Sequence, residues 1–304
     1  MTRSYLLPNK VHKSEFRTPR NIHTTESSSP EKESGARIKA SLTQPHQANE
    51  TVASYLNKRL VEIGVKHVIT IPGDYIAEWV ATLDSDDNEG LVRVHPNNEM
   101  CATYAADGYG RATGGQRVGC VAFTYAVGSL NSVQAVAGAY VEDVPLVVIN
   151  GSPSQAQFNS QRDQGVLWHH MFDGSQTDLR IFDQVTRMAV KIDNPAYAVD
   201  LIDSALIACI TDSKPVYIEI ASTLESYPVQ PVSEREPLGK IPVPQNQTSL
   251  YEAVATFLPI LADAKNLVVL GGVEVARFSL QDSFSQLLNT LRAPYLSSTL
   301  VPLT

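Results

Sequence analysis

The sequence predicts an α/β protein: a doubly wound parallel sheet followed by an incomplete second α/β domain. Three observations predict it. From residue 51 onward, segments with apolar residues at helical spacing alternate with short apolar runs, the pattern of βαβ units. Pro145-Leu146-Val147-Val148-Ile149 is apolar on successive residues, as a central strand covered on both faces requires. A Pro-rich stretch at 226–247 then separates this series from a last segment too short to build a doubly wound core of its own.

In chain order, Thr51–Val65 is the first predicted helix, with Val52, Tyr55, Leu56, Leu60, Val61 and Ile63 at helical spacing. His67–Ile71 is a strand, closed by Pro72-Gly73. Further helices are expected at about 75–85, 98–112, 129–141, 195–211, 249–263 and 277–291. Further strands are expected at about 91–95, 117–124, 145–150, 186–192, 215–220, 266–270 and 294–299. The first domain then covers 49–225, a linker 226–247, and 248–304 is the truncated beginning of a second α/β domain.

Residues 1–48 differ in kind. They are rich in Ser, Thr, Pro and Asn, carry eight Lys/Arg against four Asp/Glu, and lack apolar periodicity. Such a segment cannot offset its ordering entropy by burial and is expected to be a disordered leader. A transit peptide is the weaker alternative: Arg and Lys dominate 1–23, but Glu26, Glu31 and Glu33 follow and no amphipathic helix is apparent.

Composition excludes several functions. The 304 residues are 43% hydrophobic and 18% charged, with a net charge of -8, ordinary for a chain with a large core and unlike a nucleic-acid binder. No apolar run reaches the about 18 residues of a membrane-spanning helix. Cys101, Cys120 and Cys209 are widely spaced and odd in number, so they read as small core residues in a reducing, cytoplasmic setting.

Ligands of open parallel sheets bind beyond the carboxyl ends of the strands. Three polar groups fall at such ends: Asp74 after the first strand, Glu99 after the second, and Thr124-Tyr125 with Gly128 after the third. Each alone has an ordinary reading, as a turn residue, a helix-start carboxylate or a turn glycine. His169-His170 is a fourth feature. Neighbouring histidines lack metal-ligand spacing on a helix, but in a loop both can face one cleft, and they titrate near neutrality. A histidine pair alone is more often structural.

Taken in order, these segments resemble a known family. The run from Val52 to Tyr75, ending Pro72-Gly73-Asp74-Tyr75, is similar to the start of the thiamine-diphosphate-dependent 2-oxo acid decarboxylases, of the pyruvate and indolepyruvate decarboxylase kind. Asn98-Glu99, Tyr104–Arg111, Thr124–Leu130, Gly138–Pro145, Gly151–Ser154, His169-His170 and Lys214–Ile220 continue the match colinearly.

The resemblance implies that this domain binds the aminopyrimidine half of thiamine diphosphate. It places the cofactor-activating carboxyl at Glu99, expected in an apolar pocket, and proton-relay groups at Asp74, His169 and His170. Pro72, Gly73, Thr124, Tyr125 and Gly128 are then expected to line the cofactor. The histidine pair favours a decarboxylase over a carboligase, and a non-catalytic scaffold is a third reading. The segments Ser154–Leu167 and Phe172–Asp178 are longer than the family pattern. The family's Gly-Asp-Gly run with a downstream Asn-Asn, which holds the diphosphate through Mg²⁺, is absent, and Asp107-Gly108 and Asp173-Gly174 are poor substitutes. The resemblance therefore implies no metal ligand in this chain, a 2-oxo acid substrate, Mg²⁺ ligands supplied by a partner chain or a missing C-terminal domain, and a homo- or hetero-oligomer with a chain that carries the diphosphate-binding domain. Neither a nucleic acid nor a membrane is an expected partner.

Overall fold

The structure is a computed structural model that describes residues 50–85, 88–242 and 246–298, all in one unit. The expected leader at 1–48 lies outside the described residues.

Six strands form one parallel sheet: β1 (His67–Thr70), β2 (Val92–Val94), β3 (Gly119–Thr124), β4 (Leu146–Ser152), β5 (Met188–Ile192) and β6 (Val216–Ala221). Their order is β2-β1-β3-β4-β6-β5. The chain moves outward from β1 to β2, then crosses back to β3 on the other side of β1. The reversal puts a topological switch point at the carboxyl ends of β1 and β3, where the crevice of an open sheet forms.

Helices cover both faces because strand residues alternate in direction. On one face, Val147 and Ile149 of β4 join a core with Leu56 and Leu60 of α1 (Val52–Glu62) and Leu206 of α7 (Ala198–Asp212). Trp79 of α2 (Ala77–Thr82) is also in it. On the other face, Leu146 and Val148 meet Ala102 and Ala106 of α3 (Glu99–Ala112) and Val136 of α4 (Val133–Val141). Every residue of β3, β4 and β6 is buried, which explains the unbroken apolar run read as a central strand.

Two helices fall where a longer loop was expected. The first, α5, is Gln155–Gln164, and the second, α6, is Thr177–Phe182. Helix α5 starts in a capping box between Ser154 and Gln157 and stops at Gly165 in the left-handed region. The cysteine expectation is partly corrected: Cys120 and Cys209 are buried, but Cys101 is exposed on α3.

The Pro-rich segment does not cross open solvent. Val52 N donates to the Tyr227 carbonyl, Leu238 N to Glu62 Oε1, and Ile241 N to Thr211 Oγ1, so it is stitched along α1 and the end of α7. Beyond it come α8 (Gln247–Asp263), β7 (Val269–Gly271), α9 (Glu274–Arg277), α10 (Gln281–Leu291) and β8 (Tyr295–Ser297). Here β7 and β8 pair in parallel as a separate two-stranded sheet. No helix among the described residues is long and apolar enough to cross a membrane.

Candidate active site

At the switch point, two turns and one helix start converge. The turn after β1 carries Pro72, Gly73 and Asp74, and the turn after β3 carries Tyr125 to Gly128. Gly73 lies against Thr124: a Cβ at 73 would stand 2.5 Å from the Thr124 Cβ. Gly128 closes the other side, where a Cβ would stand 2.8 Å from the Thr124 carbonyl oxygen and 3.3 Å from Glu99 Oε1. Both glycines are there because backbone and neighbour approach too closely for a side chain.

Glu99 is the first residue of α3, and Asn98 caps that helix by accepting from Cys101 N at 2.9 Å. Glu99 is also the acidic residue in the first turn of α3, as its ordinary reading requires. The Glu99 side chain is half-buried, not sealed in an apolar pocket as expected. Thr124 Oγ1 is buried and has no hydrogen-bond partner among the described residues. An unpaired buried hydroxyl is costly and marks a place where a ligand group can be received.

The second cluster is on the other side of the turn after β1. His169 Nε2 lies 3.3 Å from Asp74 Oδ2, and the His169 ring stacks on Tyr75 at 4.6 Å and 5°. Tyr75 O–H donates to the His169 carbonyl at 3.1 Å. Burial, then the Asp74 charge, raises the Tyr75 phenol above its ordinary pKa, so it stays a donor. The His170 ring meets both the Tyr75 and His169 rings edge-on. His170 has a φ of 63°, uncommon for a side chain of this size, and its Nδ1 is buried without a partner among the described residues.

Asp74, Glu99, Thr124, Gly128, His169 and His170 thus flank a single turn, Pro72-Gly73. Tyr125 is placed differently from the rest. Its ring is buried edge-on against Phe158, 5.8 Å between centroids, so it buttresses the turn from behind.

Sequence reading passed over a set of buried polar residues beneath this rim. Asp178, at the start of α6, accepts from Ala126 N at 2.8 Å, Asn150 Nδ2 at 3.1 Å and the Ser129 hydroxyl. Asn150 Nδ2 also reaches Tyr217 O–H at 2.6 Å, which donates to Glu219 Oε2 at 2.9 Å. Lys191 Nζ lies 3.1 Å from Glu219 Oε1 and 3.7 Å from the centre of the Phe158 ring. Desolvation is the main cause that raises the carboxyl pKa of both Asp178 and Glu219. The available signal was the presence of Asn150, Lys191 and Glu219 inside otherwise apolar strand runs.

A third buried carboxyl lies behind the turn after β1. Glu225 Oε2 accepts from Trp79 N at 2.8 Å, in the first turn of α2, whose own N-cap position, Ile76, offers no side-chain acceptor. Burial pushes Glu225 up to about 8.

Residues 50–178 match the family model of the thiamine pyrophosphate enzyme N-terminal TPP binding domain. Pyruvate decarboxylase 1 of Pisum sativum is 35% identical over 248 residues, 80% of this chain and 40% of that protein. Pyruvate decarboxylase 2 of Arabidopsis thaliana is 36% identical over 78% of this chain and 38% of its own length. Pyruvate decarboxylase 1 of Zea mays is 33% identical over 82% and 40% respectively. The chain spans about two fifths of the length of these curated relatives. The chain is thus similar to the thiamine pyrophosphate enzyme family over residues 50–178 and to pyruvate decarboxylases over about 80% of its length.

Proposed function

We propose that this chain is the pyrimidine-binding part of an enzyme that non-oxidatively decarboxylates a 2-oxo acid to an aldehyde. The observation that carries the reading is the convergence of Glu99 Oε1 and Thr124 on Gly128 at the switch point. The fit to an aminopyrimidine is good on chemical grounds. One carboxylate can share a proton with a ring nitrogen, one buried hydroxyl lacks a partner among the described residues, and two glycines keep side chains out of the space between.

When bound, thiamine diphosphate supplies the nucleophilic carbon and the electron sink for loss of CO₂. Glu99 holds the proton shared with the pyrimidine at Oε1. Asp74 keeps His169 Nε2 in place to hold and deliver a proton, and Tyr75 fixes the ring by stacking beneath it. His170 presents a second imidazole beside it. Among the described residues no group of three His, Cys, Asp or Glu is arranged to hold a metal ion. Under this reading the diphosphate and its Mg²⁺ are held by a complementary domain, and this chain by itself is inactive.

The test is titration of thiamine diphosphate with MgCl₂ into the full chain, alone and mixed with a candidate chain carrying the diphosphate-binding half, followed by product analysis with a 2-oxo acid. Aldehyde is expected only from the mixture, and Glu99→Gln is expected to lower kcat by about 10²–10⁴-fold without dissociating the assembly. Acyloin in place of aldehyde would assign a carboligase, and a rate unchanged by Glu99→Gln would assign a scaffold.

A further inference from the structure

Asn150, Glu219 and Lys191 sit in one row across the sheet: Asn150 of β4 is in register with Glu219 of β6, and Glu219 with Lys191 of β5. All three are buried in strands whose other residues are mostly apolar. A buried ion pair adds little net stability over apolar residues of the same shape, so core strength does not account for the row.

What it touches does. The row leads through Tyr217 and Asn150 to Asp178, which collects three donors on a single oxygen, Oδ2. Two of the three come from the turn after β3, from Ala126 N and the Ser129 hydroxyl. Ala126 has a φ of 57°, the left-handed region that a residue with a Cβ avoids. Something must hold it there, and a hydrogen bond from its N–H to a carboxylate is among the stronger neutral-donor bonds available. At the other end, Lys191 lies under the Phe158 ring, which packs on Tyr125 in the cluster that also holds Tyr75 and Met171. The row thus bears on both walls of the site from below.

We propose that Asp178 is a positioning residue for this site: it locks the Ala126 turn, and through that turn sets Thr124 and Gly128 against Glu99. The functional half of the inference rests on the reading of a thiamine diphosphate site, whereas the structural half stands by itself. Asp178 touches no reacting atom and acts only through the turn.

The experiment uses the full chain with Asp178→Asn, which keeps the shape but removes the charge, and Ser129→Ala, which removes one donor and leaves the core intact. Hydrogen exchange and amide NMR are read residue by residue. In wild type the Ala126 amide proton should resonate downfield, as a bond to a carboxylate requires. In Asp178→Asn that resonance should move upfield, and exchange over 126–130 should quicken at least about tenfold while β4 and β6 amides change less than about threefold. Ser129→Ala should show the same local pattern, weaker. Unchanged exchange at 126–130, or an equal rise over the whole sheet, would overturn the positioning role. Thiamine diphosphate with MgCl₂ is then titrated into both forms in the presence of the complementary chain. Failure of the wild type to bind would sink the functional reading and leave the exchange result standing. Binding equally tight in wild type and Asp178→Asn, with the turn loosened, would sink the link from turn to site.

Discussion

The two sheets of this chain contain similar residues and meet different fates. Val, Leu and Ile dominate β4 and β6 and are buried, whereas the Val, Leu and Tyr residues of β7 and β8 leave Leu270, Tyr295 and Leu296 exposed. Helix α7 buries seven of its residues, but α8, longer and equally rich in apolar positions, buries none. Apolar pattern thus states what an element offers to a core, not whether anything covers it. The site shows the distinction from the other side: its two turns follow β1 and β3, which are mostly buried, and do not lie where apolar surface is merely abundant.

Two phenylalanines report on the covered and the uncovered region separately. Phe182→Ala removes a buried ring stacked on Tyr217 at 4.3 Å and should cost about 3–5 kcal/mol in urea denaturation. Phe257→Ala, in exposed α8, should stay within about 0.5 kcal/mol. Similar losses would mean that α8 is covered in solution.

The next effect is a slope. Glu225 is raised from 4.5 to about 8 in the folded chain, so the folded state favours the protonated form. Its contribution to stability is complete below about pH 4, falls as pH rises, and is lost once pH passes through about 8. Glu225→Gln should flatten that part of the profile of denaturation midpoint against pH. A slope that survives the substitution would place its origin elsewhere.

The smallest effect compares two helix caps. Asn98→Ala should cost about 1 kcal/mol of global stability, because α3 packs on the main sheet. Asn246→Ala, at the start of α8, should cost a few tenths at most in the same thermal melt, since α8 buries nothing.

Much of the main sheet was legible because helix and strand periods differ and because central parallel strands are apolar on successive residues. Asp74, Glu99, Gly128 and the histidines were legible as positions at strand ends. What could not be read was depth. Helix α5 carries Phe158 as its one large apolar residue, so its periodicity is silent and only the Ser154–Gln157 capping box betrays it. Asp178 looks in sequence like any acidic residue in a first helical turn, and only tertiary placement turns it toward Ala126. Tyr125 follows the same logic in reverse, since adjacency to Thr124 does not make two side chains share a direction.

The stitched segment from Tyr227 to Ile241 has a mechanical consequence. It grips α1 at both ends, and α1 runs directly into β1 and the Pro72-Gly73 turn. The elements from α8 onward are thereby coupled to that helix through the chain itself, beside the direct hold of Arg277 Nε on the Glu142 carbonyl at 3.3 Å.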